Sequence, residues 1–205
     1  LRYAPATRTW RRAVNAVADL SALWGSGPRD IWAVGKAGAV YRFDGDRWGG
    51  LSVGVSKDLR AVFGTGPTDV LLGGDGVLLT YNGASFAPTA TLGGVAISQI
   101  YALGGTRTQV WAVGDNTFGR SGATWTAAAM RPDDFRNNFA VLGGPTGVLV
   151  AGGRGGGRSY FGYVGANLPT SSDAILASRD MNMRALASGG GETLAVGDFG
   201  TVARL

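Results

Sequence analysis

Ile31-Trp32-Ala33-Val34-Gly35 returns four more times along the chain. The copies are Val70-Leu71-Leu72-Gly73-Gly74, Val110-Trp111-Ala112-Val113-Gly114, Leu149-Val150-Ala151-Gly152-Gly153 and Thr193-Leu194-Ala195-Val196-Gly197. Their closing glycines stand 39, 40, 39 and 44 residues apart. Apolar runs this short, rich in β-branched and aromatic residues, are strands rather than helices. A repeat of about 40–45 residues is the period of a propeller blade.

Working outward, a second apolar stretch precedes each copy: Ala22-Leu23-Trp24-Gly25, Ala61-Val62-Phe63-Gly64, Ala102-Leu103-Gly104-Gly105, Ala140-Val141-Leu142-Gly143 and Ala185-Leu186-Ala187-Ser188. These read as innermost strands, whose alanines suit a narrow axis. Turn formers such as Gly25-Ser26-Gly27-Pro28-Arg29-Asp30 separate the two stretches. A third strand follows, then a Gly-x-x-aromatic turn into a fourth, as in Gly45-Asp46-Arg47-Trp48, Gly83-Ala84-Ser85-Phe86 and Gly122-Ala123-Thr124-Trp125. The pattern predicts an all-β fold, a five-bladed β-propeller of four-stranded antiparallel blades, with residues 1–205 forming one propeller domain.

The two ends carry a further expectation. After Gly197 only a turn and one strand, Thr201 to Leu205, remain, so the last blade lacks its fourth strand. Thr7-Arg8-Thr9-Trp10 resembles the entry into a fourth strand with no earlier strands before it. The N-terminal strand is therefore expected to join the last blade and close the ring, hiding a sheet edge. A fragment of a longer propeller is the alternative, because Leu1-Arg2-Tyr3 also resembles the end of a third strand. Residues 169–183 form an insertion that suits a short helix or an extended loop equally.

Composition narrows the chemistry. Thirty-six glycines and 45% hydrophobic residues fit a turn-dense β fold rather than a disordered chain. With no cysteine and no histidine, disulfides, thiolate nucleophiles, histidine acid–base catalysis and the usual zinc and copper ligand sets are excluded. No apolar run reaches the length of a membrane span. The net charge of +5 comes from scattered arginines, with Lys36 and Lys57 the only lysines. That scatter argues against a nucleic-acid footprint.

Trp24-Gly25-Ser26-Gly27-Pro28-Arg29-Asp30-Ile31-Trp32-Ala33-Val34-Gly35, followed by Asp44-Gly45-x-x-Trp48, resembles repeats in bacterial propeller proteins, notably large exported proteins of myxobacteria. More distantly it is similar to neuraminidase-type and photosystem-assembly-factor propeller repeats. The resemblance spans the chain and is concentrated in the first three repeats. It implies a propeller and an exported location, periplasmic, cell-surface or extracellular. The Trp-Asp and Gly-His signatures of WD40 blades and a full Asp-box are missing.

Few residues stand out as chemical candidates. Gly152 to Ser159 nearly matches a phosphate-binding loop, but Arg158 replaces the lysine and a strand-like Tyr160-Phe161-Gly162-Tyr163-Val164 follows instead of a helix. A long hairpin turn is the better reading. The carboxylates Asp30, Asp69, Asp75, Asp115, Asp198 and Glu192 lie mostly in turns, where capping explains them better than glycoside hydrolysis. Asp44-Gly45-Asp46 and Asp133-Asp134 lack the ligand density of a calcium loop. Trp24, Trp32, Trp48, Trp111 and Trp125 sit where other repeats have Phe or Leu, so they read as blade packing rather than sugar platforms. The turns between second and third strands share one face and carry Lys36, Asp75, Asp115, Asn116, Arg154 and Asp198, the expected ligand-binding residues. No catalytic residue, metal or cofactor is expected. The function expected is a non-catalytic recognition module for another protein or a surface polymer, within a larger exported assembly; a multivalent glycan-binding lectin is the alternative, and a glycosidase-like enzyme a more remote one.

Overall fold

The computed structural model describes residues 2–11, 18–127, 137–144, 147–154, 158–165 and 182–204, with backbone alone for residues 2–4, 11, 137–138, 144, 147, 154 and 158–165. Sheet one contains β3 (Leu20–Gly27), β4 (Asp30–Gly35), β5 (Val40–Phe43) and β6 (Trp48–Gly50); a ribbon of β1 (Arg2–Ala4) and β2 (Thr9–Arg11) precedes it. Sheet two is β7 (Leu59–Gly66), β8 (Asp69–Gly74), β9 (Val77–Tyr81) and β10 (Phe86–Pro88). A two-stranded ribbon, β11 (Thr91–Leu92) and β12 (Val95–Ala96), leads into sheet three: β13 (Ile100–Gly105), β14 (Gln109–Gly114), β15 (Thr117–Ser121) and β16 (Thr124–Ala127). Sheet four is β17 (Asn137–Gly144), β18 (Gly147–Arg154) and β19 (Arg158–Gly165); sheet five is β20 (Met183–Gly189), β21 (Glu192–Gly197) and β22 (Val202–Arg204). Every pairing is antiparallel between consecutive strands.

The sheets stack in chain order, and the first strands β3, β7, β13, β17 and β20 are successive neighbours. Alternation along the strands builds the core. Trp32, Val34 and Val40 of sheet one meet Val62, Leu72 and Leu79 of sheet two. From the opposite face of sheet two, Ala61, Leu71 and Leu78 meet Ile100, Val110 and Phe118 of sheet three. Trp111 and Val113 then meet Val148 and Val150, and Ala140 and Ala151 meet Met183 and Ala195. Each large side chain buried this way contributes about 1.5–3 kcal/mol. Five of the six tryptophans belong to this packing: Trp32 and Trp111 are buried, Trp24 lies against Phe63, Trp48 against Phe43 and Trp125 against the cluster of sheets two and three, while Trp10 is 64% exposed.

Two sequence expectations are corrected. Among the described residues the structure has four blades, not five: three of four strands and one of three, followed by a further three-stranded sheet. The N-terminal strand does not join that last sheet. Thr9–Arg11 pairs with Arg2–Ala4 through a turn in which the Arg8 N–H donates to the Pro5 carbonyl. A local hairpin closes a loop of a few residues, whereas pairing with β22 would close nearly the whole chain.

Sheets one and five are more exposed than the sheets between them. Leu194, Val196 and Val202 of sheet five are 42%, 43% and 67% exposed, while their repeat equivalents in sheet one, Trp32, Val34 and Val40, are 0–2% exposed. At the other end Leu23 is 67% exposed and its equivalent Val62 only 6%. The alanines are also reassigned: Ala22, Ala61, Ala102 and Ala140 pack toward the following sheet, so their small size reflects sheet-to-sheet spacing and says nothing about the width of an axis. The 169–183 insertion lies almost wholly outside the described residues.

Candidate functional site

Each first strand begins with the same irregularity. The register against the second strand slips by one residue between Leu20 and Ala22, Leu59 and Ala61, Ile100 and Ala102, Asn138 and Ala140, and Met183 and Ala185. A bulge of this kind leaves one residue outside the ladder and re-aims its side chain. The residues set free are Ser21, Arg60, Tyr101, Phe139 and Arg184.

Four of these five form a continuous strip. The Arg60 guanidinium lies 5.9 Å from the Tyr101 ring centroid. The Tyr101 and Phe139 rings are 5.1 Å apart, tilted by 53°. Arg184 lies over Phe139 at 4.4 Å. Arg60 and Arg184 are exposed, and the rings between them are half-buried. Cation–aromatic contact at such exposed sites contributes about 0.5–1 kcal/mol.

The turn acids anchor the strip. Arg60 forks onto Asp75, Nε to Oδ1 at 2.5 Å and Nη2 to Oδ2 at 3.1 Å. Arg184 forks onto Asp198 at 2.7 and 3.0 Å, and the Asn182 amide donates to the same carboxylate at 2.9 Å. These bonds, Arg184 first, hold the Asp198 carboxyl down to about 2. Asp75 in turn raises Arg60 above its ordinary value. Tyr101 is pushed up, first by burial and then by the Asp115 charge.

Of the six residues expected at this face, Asp75 and Asp198 belong to the strip through their arginines, and Asp115 borders it through Tyr101. Lys36 instead donates to Asp19 at 2.8 Å, an exposed pair. Asn116 is exposed in the β14–β15 turn. Arg154 ends β18, and its side chain lies outside the described residues. The sequence reading missed Arg60, Tyr101, Phe139 and Arg184. Their signal was the residue immediately before each repeated alanine, varied in type beside a constant neighbour.

Other charged pairs serve the sheets. Asp69 of β8 receives Arg120 from sheet three and Thr65 from its own hairpin. Asp30 receives Arg42 at 2.7 Å, and that guanidinium also covers the Trp32 ring at 4.8 Å. Arg204 pairs with Glu192 at the equivalent place in sheet five. Asp44 accepts the Asp46 and Arg47 N–H groups, both at 2.9 Å, which accounts for it as a turn former. Asp133 and Asp134 lie outside the described residues. Among the described residues no cluster of three or more acidic groups could hold a metal, and no helix is long and apolar enough to cross a membrane. Where the first hairpin turns converge, a cavity of about 640 Å³ is lined by Trp24, Phe63, Pro67, Thr106, Arg107 and several glycines. Most of its walls come from the ends of β3, β7 and β13, and Arg107 is its one charged residue.

The chain resembles solved structures over nearly its full length. YCF48 bound to a D1 peptide matches with a TM-score of 0.66 at 13% identity, covering 94% of this chain and 65% of that one. The fold is a β-propeller. The WD40 propeller domain of Doa1 agrees, with a TM-score of 0.71 at 13% identity over 94% of this chain and 67% of that one. The extracellular domain of BT4673 from B. thetaiotaomicron matches at 0.58 and 15% identity, over 91% of this propeller and 32% of its own chain. The chain thus spans about two thirds of the first two structures and about a third of the last. No protein-family model and no curated protein matches it.

Proposed function

We propose that this propeller is a non-catalytic recognition module that binds another protein by an extended segment laid along the bulged-residue strip. One observation carries the reading: Arg60, Tyr101, Phe139 and Arg184, from four consecutive sheets, touch in a row on one face. A row of rings flanked by guanidiniums offers stacking surface and hydrogen-bond donors along a line, as an extended peptide requires. The four side chains contact one another without a ligand, an arrangement that lowers the entropic cost of binding. Asp75 and Asp198 are each engaged by an arginine rather than facing each other as a catalytic pair, which favours binding over hydrolysis. YCF48, a structural neighbour solved with a bound D1 peptide, supports a peptide-binding use of the fold. We further place the module in an exported assembly, in keeping with the extracellular neighbour.

The test is an array of random dodecapeptides probed with the full chain, beside an array of free glycans. Peptide binding that falls at least tenfold in both Tyr101→Ala and Phe139→Ala, with unchanged melting of the protein, is expected. Binding to glycans alone would replace this reading with the lectin one, which the burial of Trp32 and Trp111 disfavours.

A further inference from the structure

Sheets two and five build the same three-part unit from a bulged arginine, the turn acid of its own sheet and an aromatic bulged residue of a neighbouring sheet. In sheet two these are Arg60, Asp75 and Tyr101; in sheet five, Arg184, Asp198 and Phe139. Sheet three keeps the acid, Asp115, but has Tyr101 where the arginine would stand. Asp115 is partly exposed. Among the described residues no lysine or arginine is within ion-pair distance of it, although its charge reaches the Tyr101 hydroxyl. Among the described side chains, the strip with its turn acids therefore holds two positive groups, Arg60 and Arg184, against three negative ones, Asp75, Asp115 and Asp198, and the Asp58 charge also reaches Arg60. Described cations are outnumbered on this face, on a chain whose net charge is +5.

We infer that the segment bound by this face carries an arginine, whose guanidinium seats on Asp115 beside the Tyr101–Phe139 pair and completes in sheet three the unit that sheets two and five complete internally. The inference rests on the recognition reading above and names the chemistry of its partner. A guanidinium is the fitting group because both internal examples are planar forks on a carboxylate that also lie on a ring, and an ammonium makes only the point contact. Without a ligand, Asp115 is solvated, so the cation gains a carboxylate and a ring at little cost in the free protein.

Four octapeptides of one alanine- and serine-rich sequence, differing at a central residue as arginine, lysine, citrulline or glutamate, would be titrated into the full chain by calorimetry. Citrulline keeps the shape of arginine and removes its charge. The order expected is arginine, then lysine, then citrulline and glutamate, with roughly tenfold between arginine and citrulline. Asp115→Asn should bring the arginine peptide down to the citrulline level, and Asp115→Glu should restore most of the difference. Equal binding of arginine and citrulline peptides to the unaltered protein, or arginine binding unaffected by Asp115→Asn, overturns the inference. If those peptides nevertheless lose affinity in Tyr101→Ala, the recognition reading survives without its cation; if none of the four binds, both fall.

Discussion

Asp198 shows how one residue ties the site to the fold. Its carboxylate receives the Arg184 fork and the Asn182 amide, and its own backbone N–H donates to the Asn182 carbonyl at 3.0 Å. The acid therefore fixes both the guanidinium and the start of the last first strand. A carboxyl held at about 2 in the folded protein, against about 3.9 in the unfolded chain, stabilises the fold fully above pH 4 and progressively less as pH falls through 2. Following the Asp198 side-chain carbon by NMR through an acid titration should give a midpoint near pH 2. In Arg184→Gln that midpoint should rise toward pH 4, because the first cause of the depression is gone. An unchanged midpoint would mean that the fork does not persist in solution. Tyr101 and Phe139 make the complementary point: neither residue type announces a site, and their pairing is visible only once consecutive sheets are stacked.

Among the elements, the repeated apolar segment and its closing glycine were fully legible in the sequence, and the structure supplies the steric reason for the glycine. A Cβ at Gly74 would be driven into the Asp58 carbonyl oxygen, and one at Gly35 into that of Asp19. The residue that follows uses the same carbonyl: the Asp75 N–H donates to Asp58 at 3.0 Å and the Lys36 N–H to Asp19 at 2.9 Å. The chain entering a sheet thus crosses directly over the end of its second strand, and the bulge is where the two are reconciled. Gly74→Ala should cost at least about 3 kcal/mol in urea unfolding, or prevent folding, because backbone stands in the way. Gly66→Ala, with nothing within 4 Å of the added carbon, should stay within about 1 kcal/mol of the parent. Similar losses for both would refute the crossing. The bulge itself could not be read from alternation, since the apolar pattern resumes in phase one residue later and hides the slip.

The whole molecule is where the sequence reading fell short. Local periodicity identified the five repeat sheets but neither two-stranded ribbon, and the number of blades and their closure depend on contacts between distant parts of the chain, about which periodicity carries no information. The Thr9-Trp10 strand looked like a missing fourth strand because a hairpin arm and an outer blade strand share one pattern. The exposed faces of sheets one and five give the stack a measurable asymmetry between equivalent positions. Val34→Ala, at a fully buried site, should lose about 1–2 kcal/mol, whereas Val196→Ala, 43% exposed in the equivalent place, should change stability by less than about 0.5 kcal/mol. Equal losses would require sheet five to be covered in solution as sheet one's inner face is.

The bulge has one more effect, on how such a protein can change. A residue extruded from the ladder takes no part in the strand pairing, so serine, arginine, tyrosine and phenylalanine are all accepted there on the same backbone. Specificity is thereby concentrated in a handful of positions, one per sheet, that vary without changing the strand pairing. A new ligand preference could arise, or be engineered, by rewriting Ser21, Arg60, Tyr101, Phe139 and Arg184 alone.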